Sequence, residues 1–207
     1  MYQPAHHRED RLDVQQALIE NHPLGLLISN DAEGLLANAI PFILKREEGP
    51  RGRLLAHLAR ANPQWRSLDG QKVLVVFQGP QAYVSPSHYA TKRETGKVVP
   101  TWNYAIVQAR GVARVRTDTA WLDAQIDALT SKQEQGRDHA WAVGDAPRAY
   151  IESQLRGIVG IEIGISELEG KWKVSQNRQE ADRHGVAEGL AAAHPDMAAL
   201  VRRYGNV

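Results

Sequence analysis

Tyr104-Ala105-Ile106-Val107-Gln108-Ala109-Arg110-Gly111-Val112-Ala113-Arg114-Val115-Arg116 is the stretch whose reading decides the fold. Val107, Ala109, Gly111, Ala113 and Val115 share one side. Gln108, Arg110, Arg114 and Arg116 share the other, with Val112 among them. Successive side chains of an extended chain point to opposite faces, so this alternation predicts a barrel strand with one packed face.

Upstream, Lys72 to Phe77 is a nearly continuous β-branched and aromatic run, the pattern of a strand buried on both sides; Gly79-Pro80 punctuates it and Ala82 to Ser85 resumes. Leu24 to Ser29, Leu35 to Leu44 (interrupted at Pro41) and Arg53 to Leu58 are earlier strands. Ile158 to Ile163 and Leu168 to Val174 are the last. Helices are predicted over Asp13 to Asn21, Asp118 to Gln133 and Ala146 to Leu155, and from Gln179 onward with breaks at Gly185 and His194-Pro195. Asn62-Pro63 marks a further helix start. Many short strands with few helical crossovers predict a mainly β fold, a closed antiparallel barrel with peripheral helices. One domain over 1–207 is expected, with 178–207 as a helical C-terminal extension packing on it.

Composition agrees with an ordinary folded domain. The chain has 207 residues, 43% apolar and 24% charged. It has no cysteine, which excludes disulfides, thiolate metal sites and cysteine nucleophiles. The first residues lack the apolar run of a signal peptide, and no stretch approaches the roughly 20 apolar residues that span a bilayer. A cytoplasmic location and no membrane contact are therefore expected. A net charge of +1 gives the whole molecule little attraction for nucleic acid. Motifs for dinucleotides, triphosphates, serine hydrolysis and zinc are absent, and the histidines are too scattered to predict a metal site.

Three polar clusters lie at strand ends. His57-Leu58-Ala59-Arg60-Ala61-Asn62-Pro63-Gln64-Trp65 turns a strand into a helix start, where free N–H groups and Arg60 suit a phosphomonoester. Simple capping by Asn62 beside a surface arginine fits equally. The second runs from Phe77 through Gln78, Ser85 and His88 to Tyr89. The third is Val99-Pro100-Thr101-Trp102-Asn103-Tyr104, which either walls a ligand or plugs a barrel end.

Taken with Met1-Tyr2-Gln3-Pro4, Asn38 to Phe42, Lys173 to Arg178 and Gly185 to Leu190, these words in this order resemble the PaiB family of FMN-binding negative transcriptional regulators, within the FMN-binding split barrels. The resemblance implies a six-stranded antiparallel split β-barrel that forms a homodimer and holds FMN in a groove at the subunit interface. It implies phosphate contacts at His57, Arg60 and Asn62. The ring would lie near Gln78 and Ser85, with Thr101, Trp102 and Asn103 closing over it and late-chain contacts from Lys173, Ser175 and Gln176. Two departures touch FMN binding. Ala39 stands where the family usually has His, and His88 where it usually has Trp.

The implied function is a flavin sensor and PaiB-like transcriptional regulator. The alternative is an FMN-dependent oxidoreductase related to pyridoxamine phosphate oxidase or flavin reductases, with His88, His57 and Tyr89 as acid/base candidates. Ala181 to Val186 has helix-turn-helix spacing. However, the segment after Lys171 has nearly balanced charge and its second helix offers little to read base edges, which argues against direct DNA contact.

Overall fold

Alternation at the deciding stretch becomes burial in the structure. Asn103, Ala105, Val107, Ala109, Gly111 and Ala113 are buried, while the residues between them are not. The computed structural model describes residues 1–207. Its strands are β1 (Arg8–Glu9), β2 (Leu24–Asp31), β3 (Gly34–Pro41), β4 (Ile43–Lys45), β5 (Arg53–Ala59), β6 (Lys72–Val84), β7 (Thr101–Arg116) and β8 (Ile158–Lys173). Its helices are α1 (Leu12–Asn21), α2 (Thr91–Glu94), α3 (Thr119–Glu134), α4 (Arg148–Leu155), α5 (Glu180–Leu190) and α6 (Pro195–Gly205).

The strands form an eight-stranded sheet in the order β3-β2-β6-β7-β8-β5-β4, with β1 paired to β8. Eight replaces the expected six because β1 and β4 are fragments of two and three residues added to six long strands. Pro41 ends β3, as its missing N–H requires. Two other expected breaks are not breaks. β6 runs through Gly79-Pro80, where a Cβ on Gly79 would lie 2.9 Å from Leu18 Cδ1, so the glycine marks a close approach and not a turn. β8 is one strand of 16 residues, not two.

The chain divides into two units. The first comprises Met1–Leu18, Gln78–Val107 and Glu169–Val207; the second comprises Ile19–Phe77 and Gln108–Leu168. In the second unit the core gathers Leu27, Leu54, Val75, Ile161 and Ile163, with Phe42 packed edge-on to Phe77 at 5.7 Å. A satellite cluster of Leu122, Ile151 and Leu155 joins α3 to α4. A Cβ on Gly111 would lie 2.2 Å from the Gly164 carbonyl oxygen, so β7 must carry glycine there for β8 to pass. Between Arg53 and Arg116, the buried Glu162 carboxylate accepts hydrogen bonds from both guanidinium groups.

In the first unit α6 is tied to the N-terminal segment. Glu9, buried, accepts hydrogen bonds from Arg11 Nε at 2.8 Å and from the Tyr204 hydroxyl at 2.5 Å. Burial alone would raise the Glu9 pKa; the bonds from Arg11 and Tyr204 outweigh it and hold the carboxyl below its ordinary value. The Tyr204 ring stacks on Trp172 at 6.5 Å.

Candidate functional site

In the first unit the start of β7 and the end of β8 bring together six of the expected site residues, which the chain separates by about seventy positions. Lys173 Nζ donates to the Thr101 hydroxyl and, at 2.6 Å, to the Trp102 carbonyl. Asn103 is fully buried and its Nδ2 donates to Ser175 Oγ at 2.9 Å. Ser175 holds φ at 65°, a conformation rare for a residue with a Cβ, and the Asn103 bond helps to keep it there. Gln176 closes the corner. Its Oε1 accepts from Val174 N at 2.8 Å, and its Nε2 donates to the Trp172 carbonyl. Burial, and then the nearby Arg178 and Lys171, push the Lys173 pKa down.

Beside this corner lies a cavity of about 500 Å³, within the roughly 300–1,000 Å³ of ordinary ligand sites. Gln78, Gln81, Trp102, Tyr104 and Lys171 line it with Tyr2. Gln81 Oε1 accepts from Trp102 Nε1 at 2.9 Å, and the Tyr83 ring lies 6.0 Å from the indole, so this wall is held from two sides. Lys171 was not among the expected residues. Only 8% exposed, its Nζ sits 5.3 Å from the Tyr2 ring centre and 5.4 Å from that of Tyr104, and it forms no salt bridge. The available signal was its spacing: Lys171 and Lys173 are two apart at a strand end and share a face. Flat aromatic walls, two amides and an unpaired buried cation suit a planar heteroaromatic ligand with an electron-rich edge.

Other expected residues of this unit have different surroundings. Gln78 is exposed at the cavity, whereas Ser85 caps a 3-10 turn over Pro86–His88 by accepting from Ser87 N at 3.2 Å. His88 packs on α5: a Cβ on Gly185 would lie 2.0 Å from the His88 carbonyl oxygen, and one on Gly189 2.0 Å from its Nδ1. The expected break at Gly185 is therefore absent. α5 runs through it because the glycine makes room for a neighbouring chain, which removes the turn that a helix-turn-helix would need there. Tyr89 is buried, its hydroxyl has no partner, and the Arg178 guanidinium lies 4.8 Å from its ring. Burial pushes the Tyr89 pKa up.

The second unit holds His57, Arg60 and Asn62. His57 Nδ1 is 2.7 Å from Gln125 Oε1. Arg60 Nε donates to the Arg156 carbonyl at 2.9 Å and Nη2 to that of Ile158 at 3.0 Å. Asn62 accepts from Gln64 N at 3.0 Å and, with Pro63, starts a 3-10 helix over Pro63–Ser67, at the helix start that the sequence marks. Behind it, the buried Gln64 donates to Ser29 Oγ at 2.9 Å and accepts from Asn38 Nδ2 at 2.9 Å, a structural strut between two of the sequence words. Arg60 also lines a recess of about 330 Å³ with Thr117, Thr119, Glu152 and Arg156.

Comparison with known proteins agrees with this architecture. Residues 1–167 match the family model described as "Putative FMN-binding domain". An uncharacterised protein of Emericella nidulans is 36% identical over 247 aligned residues, covering 100% of this chain and 98% of its own. The "Protease synthase and sporulation protein PAI 2" of Bacillus subtilis is 30% identical over 191 residues, covering 92% of this chain and 89% of its own. Among solved structures, the flavocytochrome Anf3 of Azotobacter vinelandii superposes with a TM-score of 0.58 at 14% identity, over 80% of this chain and 68% of that one. The FAD and heme binding protein of Mycobacterium smegmatis gives 0.58 at 17%, over 81% and 73%. At these identities the structural likeness is one of fold, a split barrel with peripheral helices. With a family model spanning most of its length and a PAI 2 relative aligned nearly end to end, the chain belongs to the PaiB-type family of FMN-binding-domain proteins.

Proposed function

We propose that this chain is a cytoplasmic, homodimeric FMN-binding protein that works as a flavin sensor in transcriptional regulation. The observation that carries the reading is the cavity of the first unit, whose aromatic walls and buried, unpaired Lys171 match a flat ring with an electron-rich edge. Bound FMN supplies the electron chemistry of its ring. The protein's part is to bind and orient. Gln81 fixes the Trp102 wall, Gln78 offers an amide, and the Asn103–Ser175–Gln176 corner holds Thr101, Trp102 and Lys173 in place.

Arg60 is proposed separately as a phosphate contact, with His57 and Asn62 at the same strand-to-turn corner. Its recess adds Arg156, Thr117 and Thr119 as donors for a phosphomonoester, beside a Glu152 whose carboxylate is paired with Arg148.

Sensing is favoured over catalysis because the acid/base candidates are structurally engaged. His88 is packed on α5, His57 is paired with Gln125, and the Tyr89 hydroxyl is buried. Action through a partner is favoured over direct DNA reading, since the first turn of α5 presents the exposed Glu180, which repels phosphates.

A second copy is the partner that the outer sheet face suits. The register places Leu24, Leu26 and Ile28 on one face with Leu35, Ala37 and Ala39 of β3 and with Leu74 and Val76 of β6. Leu35 is 80% exposed and Leu24 63%. Ala39, one of the two departures, lies opposite Leu26 and makes this face more apolar than a histidine would.

Titration of the purified protein with FMN, followed by flavin fluorescence and by absorbance near about 450 nm, tests the reading. Saturable binding is expected, and Arg60→Ala is expected to weaken it by about tenfold or more, as loss of a charge-assisted hydrogen bond does. Addition of NADH is expected to leave the flavin oxidised. Rapid bleaching would replace the sensor with the oxidoreductase, and no binding at all would remove both.

A further inference from the structure

We infer that Lys171 is the charge this pocket sets against the electron-rich edge of a bound flavin ring, and that it thereby raises the ring's reduction potential. The inference deepens the FMN reading and rests on it.

Three cationic groups stand near one another at the end of β8, and they are not equivalent. Lys173 is committed to the Thr101 hydroxyl and the Trp102 carbonyl. The Met1 amine is paired with both carboxylate oxygens of Glu169, at 3.0 and 2.9 Å. Lys171 lines the cavity, is nine-tenths buried, and has its ammonium set between two tyrosine ring faces with no carboxylate paired to it. A buried ammonium has lost much of its hydration, and ring quadrupoles return only part of it. The site is therefore charged in advance for an anion. Its cationic character is reinforced by Lys173 and Arg178.

A ligand that gains negative charge while bound draws most from such a site. Two electrons and one proton, delivered by dithionite or a hydride donor, convert the neutral oxidised flavin ring into a reduced ring carrying one negative charge on its pyrimidine side. Lys171 favours that form over the oxidised one. By linkage, a tenfold preference for the reduced form raises a two-electron potential by about 30 mV.

The test compares wild type, Lys171→Met and Lys171→Arg, each loaded with FMN, by oxidised-state Kd and by midpoint potential against a reference dye. Circular dichroism checks that each variant is folded, and Lys171→Gln replaces the methionine variant if that one is not. The expected result is that Lys171→Met weakens FMN in both oxidation states but the reduced form by tenfold to a hundredfold more than the oxidised one, so that its potential falls by about 30–60 mV. Lys171→Arg is expected to restore most of the difference. A folded, FMN-loaded Lys171→Met protein with the wild-type potential overturns the inference, as does an equal loss of affinity for both oxidation states. A wild-type protein that takes up no FMN overturns the underlying reading instead, and is told apart by remaining colourless.

Discussion

His7 shows how much a single residue of this chain is governed by its surroundings. Its imidazole is buried, its Nδ1 has no partner, and Lys171 and Lys173 are close enough to repel a proton. Burial first, then His6 and the two lysines, push its pKa below the ordinary 6.5, against a bond from Gln176 that raises it. The unfolded chain thus takes a proton at a higher pH than the folded one. Stability is fully present above about 6.5 and is lost as pH falls from there toward the folded value. Urea denaturation across that range is expected to show a smaller pH slope in His7→Gln than in wild type. Identical slopes would mean that His7 takes up its proton equally in the folded and unfolded states. Lys171 and His7 are chemically ordinary in the sequence; burial without counter-charge makes them informative.

At the scale of elements, the C-terminal helices are placed by glycines as much as by apolar residues. Gly185 and Gly189 lie one turn apart on α5, and together they receive the backbone and ring of His88. Asp182, three residues before Gly185, accepts from Thr91 N and Thr91 Oγ1, both at 2.9 Å, so α5 also anchors the start of α2. A methyl group at Gly189 would overlap the imidazole. Gly189→Ala is therefore expected to cost about 1–3 kcal/mol, as overpacking of a close contact does. Much of that loss should return in the double variant His88→Ala/Gly189→Ala. Thermal melts of the four proteins in the cycle give the coupling, and strictly additive losses would show that the two residues do not meet. Glycine's poor helix propensity predicts a break at Gly185 from the sequence; close packing overrides that propensity here.

For the whole molecule, the outward face of β2, β3 and β6 is the feature that a free subunit leaves exposed. Contiguous apolar surface flanking an edge strand is a liability unless something covers it. Leu26→Glu/Leu35→Glu is expected to yield a monomer by light scattering at micromolar concentration where wild type is a dimer. A monomeric wild type would instead leave this face uncovered and remove the dimer from the proposed function. Neither substitution touches the core residues Leu27 and Ile40, which point to the other side, so secondary structure is expected to survive.

Local rules make much of this protein legible in its sequence. Period two in Thr101–Arg116, the β-branched run at Lys72, and the Asn62-Pro63 and Asp118 caps are properties of neighbouring residues, and backbone sterics and hydrogen bonding convert them directly into strands and helix starts. The recognisable words also mark the corner formed by Thr101, Asn103, Lys173 and Ser175, although not that its members touch. Tertiary structure alone decided three things: that Gly79 and Gly185 are close approaches and not breaks, that His88 packs on a helix a hundred residues later, and that Lys171 is buried without a partner. Each depends on which distant atoms arrive within a few ångströms, and no local pattern of residue types carries that information.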